Sequence, residues 1–255
     1  MSGPSDLSAD LSADSSVSRD EPAWPPMPLH VAVDVVALAL LDERLSVLLW
    51  RRPYAPFEGD WALPGTFSRP DEGLDASPRR ALESKAGLTD VVMEQLATYD
   101  QPPRGSAPGR DPRGRVVSVA YLALVPDESP VAESDDLRWF PVDAVPAELA
   151  FDHGRILADG VERLQAKAHY SSLPLALLPE PFTLPEVHAL YEAVLDQELD
   201  VRNFRRDLLA AGVLDETGET RAAGPGRPAR LYRRRDGAFA VSAEERRVAD
   251  RIRGR

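Results

Sequence analysis

The chain contains no cysteine. That excludes disulfides, thiolate nucleophiles, zinc ribbons and iron–sulfur clusters together. Histidine is scarce: His30, His153, His169 and His188 are far apart and form no closely spaced pair of the kind that ligates a metal. No metal is therefore expected. No apolar run approaches the ~20 residues that span a bilayer. Met1–Pro28 lacks the basic start and apolar core of a secretory signal. A cytoplasmic protein without membrane contact is expected. The 255 residues, 43% hydrophobic and 28% charged, suffice for a medium domain and a small one.

Basic charge is also in deficit. Thirty Lys and Arg face 42 Asp and Glu, a net charge of −12, which at first argues against nucleic acid. The distribution says otherwise. Before Met27 five acids stand against Arg19 alone. From Asp200 to Arg235 nine arginines stand against five acids, a local net of +4. A basic patch on an acidic protein can still hold a phosphate backbone.

Residues 1–27 are rich in Ser, Asp and Pro, carry a tandem Leu-Ser-Ala-Asp repeat and offer nothing to a core, so disorder is expected there. From 28 to 170 the pattern is that of a folded domain. Val31–Leu41 and Leu45–Trp50 read as strands joined by a hairpin turn. Asp75–Ala86 reads as a helix closed by Gly87. Val91–Tyr99, Val116–Val125 and Leu137–Pro141 read as strands, and Gly154–Lys167 as a helix. Strands mixed with single helices predict an α/β or α+β domain. Three prolines among apolar residues in 171–181 predict a short, stiff linker.

The segment 182–236 opens on a capping box, Thr183 with Glu186, and a hydrophobic staple, Phe182 with Val187. A second helix begins at Asp200 as N-cap and stops before Gly212. Its face of Val201, Phe204, Leu208 and Ala211 is apolar. The opposite face carries Arg202, Arg205, Arg206 and Leu209, with Asn203 at the border. Two short strands follow around a Gly-, Pro- and Arg-rich loop. Helix, helix and basic hairpin are the order of a winged helix-turn-helix. The stretch 237–255 reads as a charged, solvated tail, with phosphate contact a minor option.

Leu63–Leu88 resembles the Nudix box, G-x5-E-x7-R-E-U-x-E-E-x-G-U, where U is a bulky aliphatic. Glu72, Arg80, Leu82, Gly87 and Leu88 fall in register, after Trp61-Ala62-Leu63-Pro64-Gly65, while Thr66 stands at the first Gly. The resemblance implies an α/β/α Nudix sandwich. The three glutamates of R-E-U-x-E-E fall on Ala81, Ser84 and Lys85. Spaced i, i+3 and i+4, these share one helical face. In Nudix enzymes that face presents carboxylates to Mg²⁺, which activates water against a pyrophosphate. Here it presents a methyl, a hydroxyl and an ammonium, and no catalytic residue or metal is expected. Ligand binding can outlast hydrolysis. Arg51 and Arg52 follow the second strand as phosphate partners or solvated charge, Trp61 can stack on a base, and Arg80 keeps its motif position. Arg110, Arg113 and Arg115 can fork onto phosphates, or their loop can form a dimer contact.

Both halves together, about Leu29–Arg233, resemble the NrtR-like transcriptional regulators of NAD metabolism. Four segments carry this: 56–65; 110–116 with Ser118-Val119-Ala120-Tyr121; Leu149-Ala150-Phe151-Asp152-His153; and Arg202-Asn203-Phe204-Arg205-Arg206, followed by Gly226-Arg227-Pro228-Ala229 and Leu231-Tyr232. The resemblance implies a homodimeric repressor, less often an activator. Its Nudix domain would sense ADP-ribose or a related nucleotide metabolite, its winged helices would bind a palindromic double-stranded DNA operator, and the regulated genes would serve NAD or sugar metabolism. In that reading Arg202, Arg205 and Arg206 contact guanine edges or phosphates and Asn203 reads adenine. Arg227 in the wing reaches the minor groove or the backbone. Asp152 and His153 either relay the ligand state or form a structural turn and cap. The alternative is a hydrolase of ADP-ribose or another nucleoside diphosphate derivative with an atypical metal site.

Overall fold

A computed structural model describes residues 29–89, 91–101, 110–126, 131, 133–222 and 228–235. The expected disordered segment 1–27, the tail 237–255 and Arg227 lie outside the described residues.

β1 (His30–Leu41) and β2 (Arg44–Arg51) form a hairpin. Asp42 and Glu43 turn it at φ 48° and 60°, the paired left-handed conformation whose twist matches flanking strands. β3 (Trp61–Ala62), β4 (Gly65–Phe67), α1 (Ala76–Ala86), β5 (Val92–Tyr99), β6 (Val116–Leu124), β7 (Leu137–Pro141) and α2 (His153–Ala168) follow. The sheet runs β3-β2-β1-β6-β5, with β4 also on β1 and β7 on β2. β1 and β6 are parallel, and the other pairs antiparallel.

The continuous apolar run of β1 reflects a sheet covered on both faces. Val36 and Leu38 pack in one core with Val47, Leu49 and the α2 residues Ile156, Leu157 and Leu164. The alternate residues Val35, Ala37 and Ala39 pack in another with Leu48 and the α1 residues Leu82 and Ala86. The result is an α/β/α sandwich. Gly87, at φ 68°, ends α1 in the left-handed conformation that glycine adopts without strain.

The C-terminal part comprises β8 (Phe182–Thr183), α3 (Leu184–Leu195), α4 (Val201–Ala210), β9 (Leu214–Arg221) and β10 (Ala229–Arg234). The capping box is present: Thr183 N–H donates to Glu186 Oε2 at 2.6 Å, and Glu186 N–H to Thr183 Oγ1 at 3.4 Å. Asp200 Oδ1 caps α4 by accepting from Asn203 N–H at 2.8 Å. β8 joins the hairpin to make a three-stranded wing sheet, order β8-β10-β9, a strand that the sequence reading did not separate from the helix start.

The expected linker differs in kind. Leu173–Leu177 is a short 3-10 helix, and all five of its residues are buried. Leu173, Leu175 and Leu177 pack in the same core as Ile156 and Leu164 of α2 and Val187 and Leu190 of α3. Leucines in a proline-rich stretch still gain from burial, about 1.5–3 kcal/mol each when complete. The segment therefore welds the two halves instead of spacing them.

Candidate ligand cleft and DNA-facing surface

The starts of β1 and β6 and the end of β2 lie at one end of the sheet. With β4, Lys85 of α1, the 110–113 loop and Phe151–His153, they line an open cleft whose walls mix aromatic rings with charged side chains.

A buried charge network forms its floor. Asp34 Oδ2 accepts from Ser118 Oγ at 2.5 Å and from Arg110 Nη2 at 3.1 Å. Arg110 also reaches Asp152 Oδ1 at 2.7 Å. His153 Nε2 lies 3.3 Å from Asp34 Oδ1, and its Nδ1 accepts the Leu63 N–H at 2.9 Å. An Nδ1 that accepts carries no proton, so the histidine donates to Asp34 through Nε2. Burial pushes the Asp34 carboxyl up, but His153, Arg110 and Ser118 outweigh it and hold it far below the ordinary carboxylate range. Gly65 is required beside it, because an added Cβ would stand 2.5 Å from Asp34 Oδ1 and 2.7 Å from the Val33 carbonyl oxygen. His153→Ala strands both the Leu63 amide and one Asp34 oxygen. It is expected to cost about 1–3 kcal/mol, read as a lowered midpoint in urea unfolding.

The expected ligand residues separate into three groups. Arg52 and Arg113 line the cleft. Arg52 lies over the rings of Tyr54 and Phe151 at 5.1 and 4.8 Å. Arg113 lies over Phe67 at 5.3 Å while Asp111 binds its guanidinium. Arg110 lines the cleft as well, but two carboxylates hold it and its work is structural.

Arg80 turns inward on its own loop. It pairs with Glu72 and donates to Thr66 Oγ1 at 3.1 Å and the Phe67 carbonyl at 2.9 Å. Glu72 also accepts from Ser77 Oγ and Arg69 N–H. Hydrogen bonds from Arg80 and then Ser77 pull its pKa down to about 2.

Arg51, Trp61 and Arg115 stand outside the cleft, contrary to expectation. Successive strand residues point to opposite faces, so Arg51 points away from the side Arg52 takes and donates Nε to the Gly59 carbonyl at 2.9 Å. Trp61 sets its ring edge on Phe140, centroids 4.9 Å apart. Arg115 pairs with Asp100. Trp50, one residue before the arginine pair, supplies the indole in the cleft, with Lys85 Nζ 3.7 Å from its ring centroid. Asp34 was also missed. Its signal was a lone carboxylate inside an apolar strand.

In the C-terminal part, Arg202, Arg205, Arg206, Val201 and Leu209 form one exposed face of α4. Arg206 is tied to Asp207 Oδ1 at 2.9 Å and to Asn203 Oδ1 at 2.9 Å. Among the described residues Arg202 and Arg205 have no ion-pair partner. Val201 was expected on the buried stripe, yet it is 63% exposed. On the helical wheel it lies between Phe204 and Arg205, and the core reaches only from Phe204 onward, with Leu208 buried. Among the described residues no helix is long and apolar enough to cross a membrane.

Two family models match the chain: a NUDIX domain over residues 28–160 and an NrtR DNA-binding winged helix domain over residues 174–234. The ADPR responsive transcriptional repressor NtrR of Acinetobacter baylyi is 36% identical over 214 residues, 82% of either chain. The ADP-ribose pyrophosphatase of Methanocaldococcus jannaschii is 34% identical over 51% of this chain and 73% of its own length. Shewanella oneidensis NrtR, solved in complex with a 27mer DNA, superposes with a TM-score of 0.75 at 36% identity, covering 83% of this chain and 96% of that one. A MutT/nudix family protein from Enterococcus faecalis gives a TM-score of 0.69 at 26% identity, covering 83% and 88%.

Proposed function

Because the chain belongs to the NrtR family, a Nudix domain joined to a DNA-binding winged helix, we propose that it is a transcriptional repressor whose hold on DNA is controlled by ADP-ribose or a related nucleotide metabolite. The carrying observation is the exposed α4 face, with Arg202 and Arg205 projecting beside Val201 and Leu209. Guanidinium groups suit phosphates and guanine edges, and exposed aliphatic side chains suit thymine methyls. A homodimer on a two-fold operator belongs to the same reading and rests on the family resemblance. Light scattering on the purified protein tests it.

The Nudix half serves as the sensor. α2 begins in the cleft at His153, and its far end, Leu164 and Ala168, packs with α3 in the shared core. A ligand that shifts Asp152 or His153 therefore acts on a helix that also supports the DNA-binding part. Such a ligand changes DNA affinity only by its differential affinity for the two states.

Hydrolysis is not part of the proposal. Ala81 and Ser84 offer no carboxylate, and Ser84 Oγ is turned back to the Ala81 carbonyl at 3.3 Å. Glu72 is saturated by Arg80, Ser77 and Arg69. ADP-ribose titrated into the protein–operator complex is expected to release the DNA with no AMP formed in Mg²⁺ or Mn²⁺. Fluorescence anisotropy and product chromatography on one sample read both. AMP release lost in Glu72→Gln would favour the hydrolase instead.

A further inference from the structure

The cations of the cleft are unevenly neutralised. Arg110 has Asp34 and Asp152, and Arg113 has Asp111. Among the described residues Arg52 and Lys85 have no carboxylate partner. Arg52 is only 8% exposed. Its Nε donates to the Pro56 carbonyl at 2.8 Å, which holds the guanidinium in place, while its buried Nη2 has no hydrogen-bond partner. A buried charged donor left unmade is costly, so this atom calls for an acceptor that this part of the chain does not supply. Lys85 lies on the α1 face towards the same cleft, its ammonium on the Trp50 ring.

Lys85 also occupies a position where the Nudix box places a metal-binding glutamate. Magnesium requires a near-octahedral set of hard oxygens. The motif face offers Ala81, Ser84 and Lys85, and the cleft carboxylates Asp34 and Asp111 are already bound by arginines. These residues do not fit the ion. They do supply positive charge where the ion's charge would act.

Resting on the sensor reading above, we propose that the cleft takes the diphosphate of its nucleotide ligand without a divalent cation, through the Lys85 ammonium and the free Nη2 of Arg52. The Tyr54 and Phe151 rings clamp the guanidinium, and Arg113 stands at the rim. Burial pushes the Lys85 pKa down, and the Arg52 charge pushes it further. Burial likewise pushes Arg52 down and Arg113 adds to it, while Tyr54, Asp111 and Asp34 only partly oppose the shift. The cleft thus holds desolvated cations that repel one another, and a diphosphate between them relieves burial and repulsion together.

The test uses the full chain, inorganic pyrophosphate and ADP-ribose, each titrated in EDTA and again in Mg²⁺. Calorimetry reads affinity, and the part of the indole fluorescence change that Trp50→Phe removes reads the Lys85–Trp50 contact. Pyrophosphate is expected to bind in EDTA, with no gain from Mg²⁺. Lys85→Gln is expected to weaken it by about tenfold or more and Lys85→Arg by much less, as for a charge-assisted contact. Lys85 is partly exposed on a helix, so both variants should fold, and far-UV circular dichroism verifies this. Binding that requires Mg²⁺, unchanged affinity in Lys85→Gln, or no pyrophosphate binding in either buffer overturns the inference. ADP-ribose that releases DNA only with Mg²⁺ sinks this inference and leaves the sensor reading intact. Metal-free pyrophosphate binding without any effect of ADP-ribose on DNA supports the subsite and sinks the sensor.

Discussion

Replacing Arg202, Arg205 and Arg206 together with alanine is expected to weaken operator binding by at least about a hundredfold, since a good bidentate base contact is worth ~1–3 kcal/mol and a phosphate contact adds salt-dependent affinity. The substitution does not threaten the helix. Alanine has the higher helix propensity, Asp200 keeps its cap on Asn203 N–H, and Leu208 stays in the core. The single variants should rank unequally. Arg206 already spends donors on Asp207 and Asn203, so Arg206→Ala should cost less than Arg202→Ala or Arg205→Ala. Anisotropy on the promoter fragment at several salt concentrations measures this. The triple variant should also show a shallower dependence of log affinity on log salt. An unchanged affinity would remove α4 from the DNA interface.

Arg110→Ala is expected to lower folding stability by about 3–5 kcal/mol, the usual cost of leaving a buried charge without its partner. The Arg110 side chain is 3% exposed and bridges Asp34 to Asp152. Its loss leaves a carboxylate whose own side chain is 8% exposed without its guanidinium, held only by Ser118 and His153. Removing Arg110 and the Asp34 carboxylate together should cost less than the sum of the single variants, since the uncompensated charge is then gone. Urea unfolding of the four proteins of this cycle reads the coupling directly. The pH dependence follows from the lowered Asp34 pKa. Its stabilising contribution is complete above the unfolded value of about 4 and is lost as acid approaches the folded value. Additive variants across that range would show that the network contributes nothing beyond packing.

Much of the fold was legible because it is local. The continuous apolar runs of β1 and β2, the Gly87 stop of α1 and the Thr183–Glu186 box each depend on residues within a few positions of one another. The Nudix box was legible for the same reason, since Ala81, Ser84 and Lys85 share a face by helix spacing alone. The linker was misjudged because prolines announce a break in regular structure but say nothing about burial. Only the approach of α2 and α3 shows where Leu173, Leu175 and Leu177 go. Among the arginines, composition could not rank one against another. Pairing decides which are free, and the pairs Arg110–Asp34, Arg110–Asp152 and Arg115–Asp100 join residues 15 to 76 positions apart.

The amino-acid order was enough to point to a Nudix framework, with Ala81, Ser84 and Lys85 aligned to the glutamates of its box, followed by a winged helix with an arginine face, because motif register and helical period are properties of neighbouring residues. The tertiary structure alone decided which indole enters the cleft, that residues 171–177 are buried in the core, and that Arg52 and Lys85 are left unneutralised among so many charges. Those outcomes depend on which distant carboxylate reaches which cation first, and on strand alternation that sends Arg51 and Arg52 to opposite sides of one sheet.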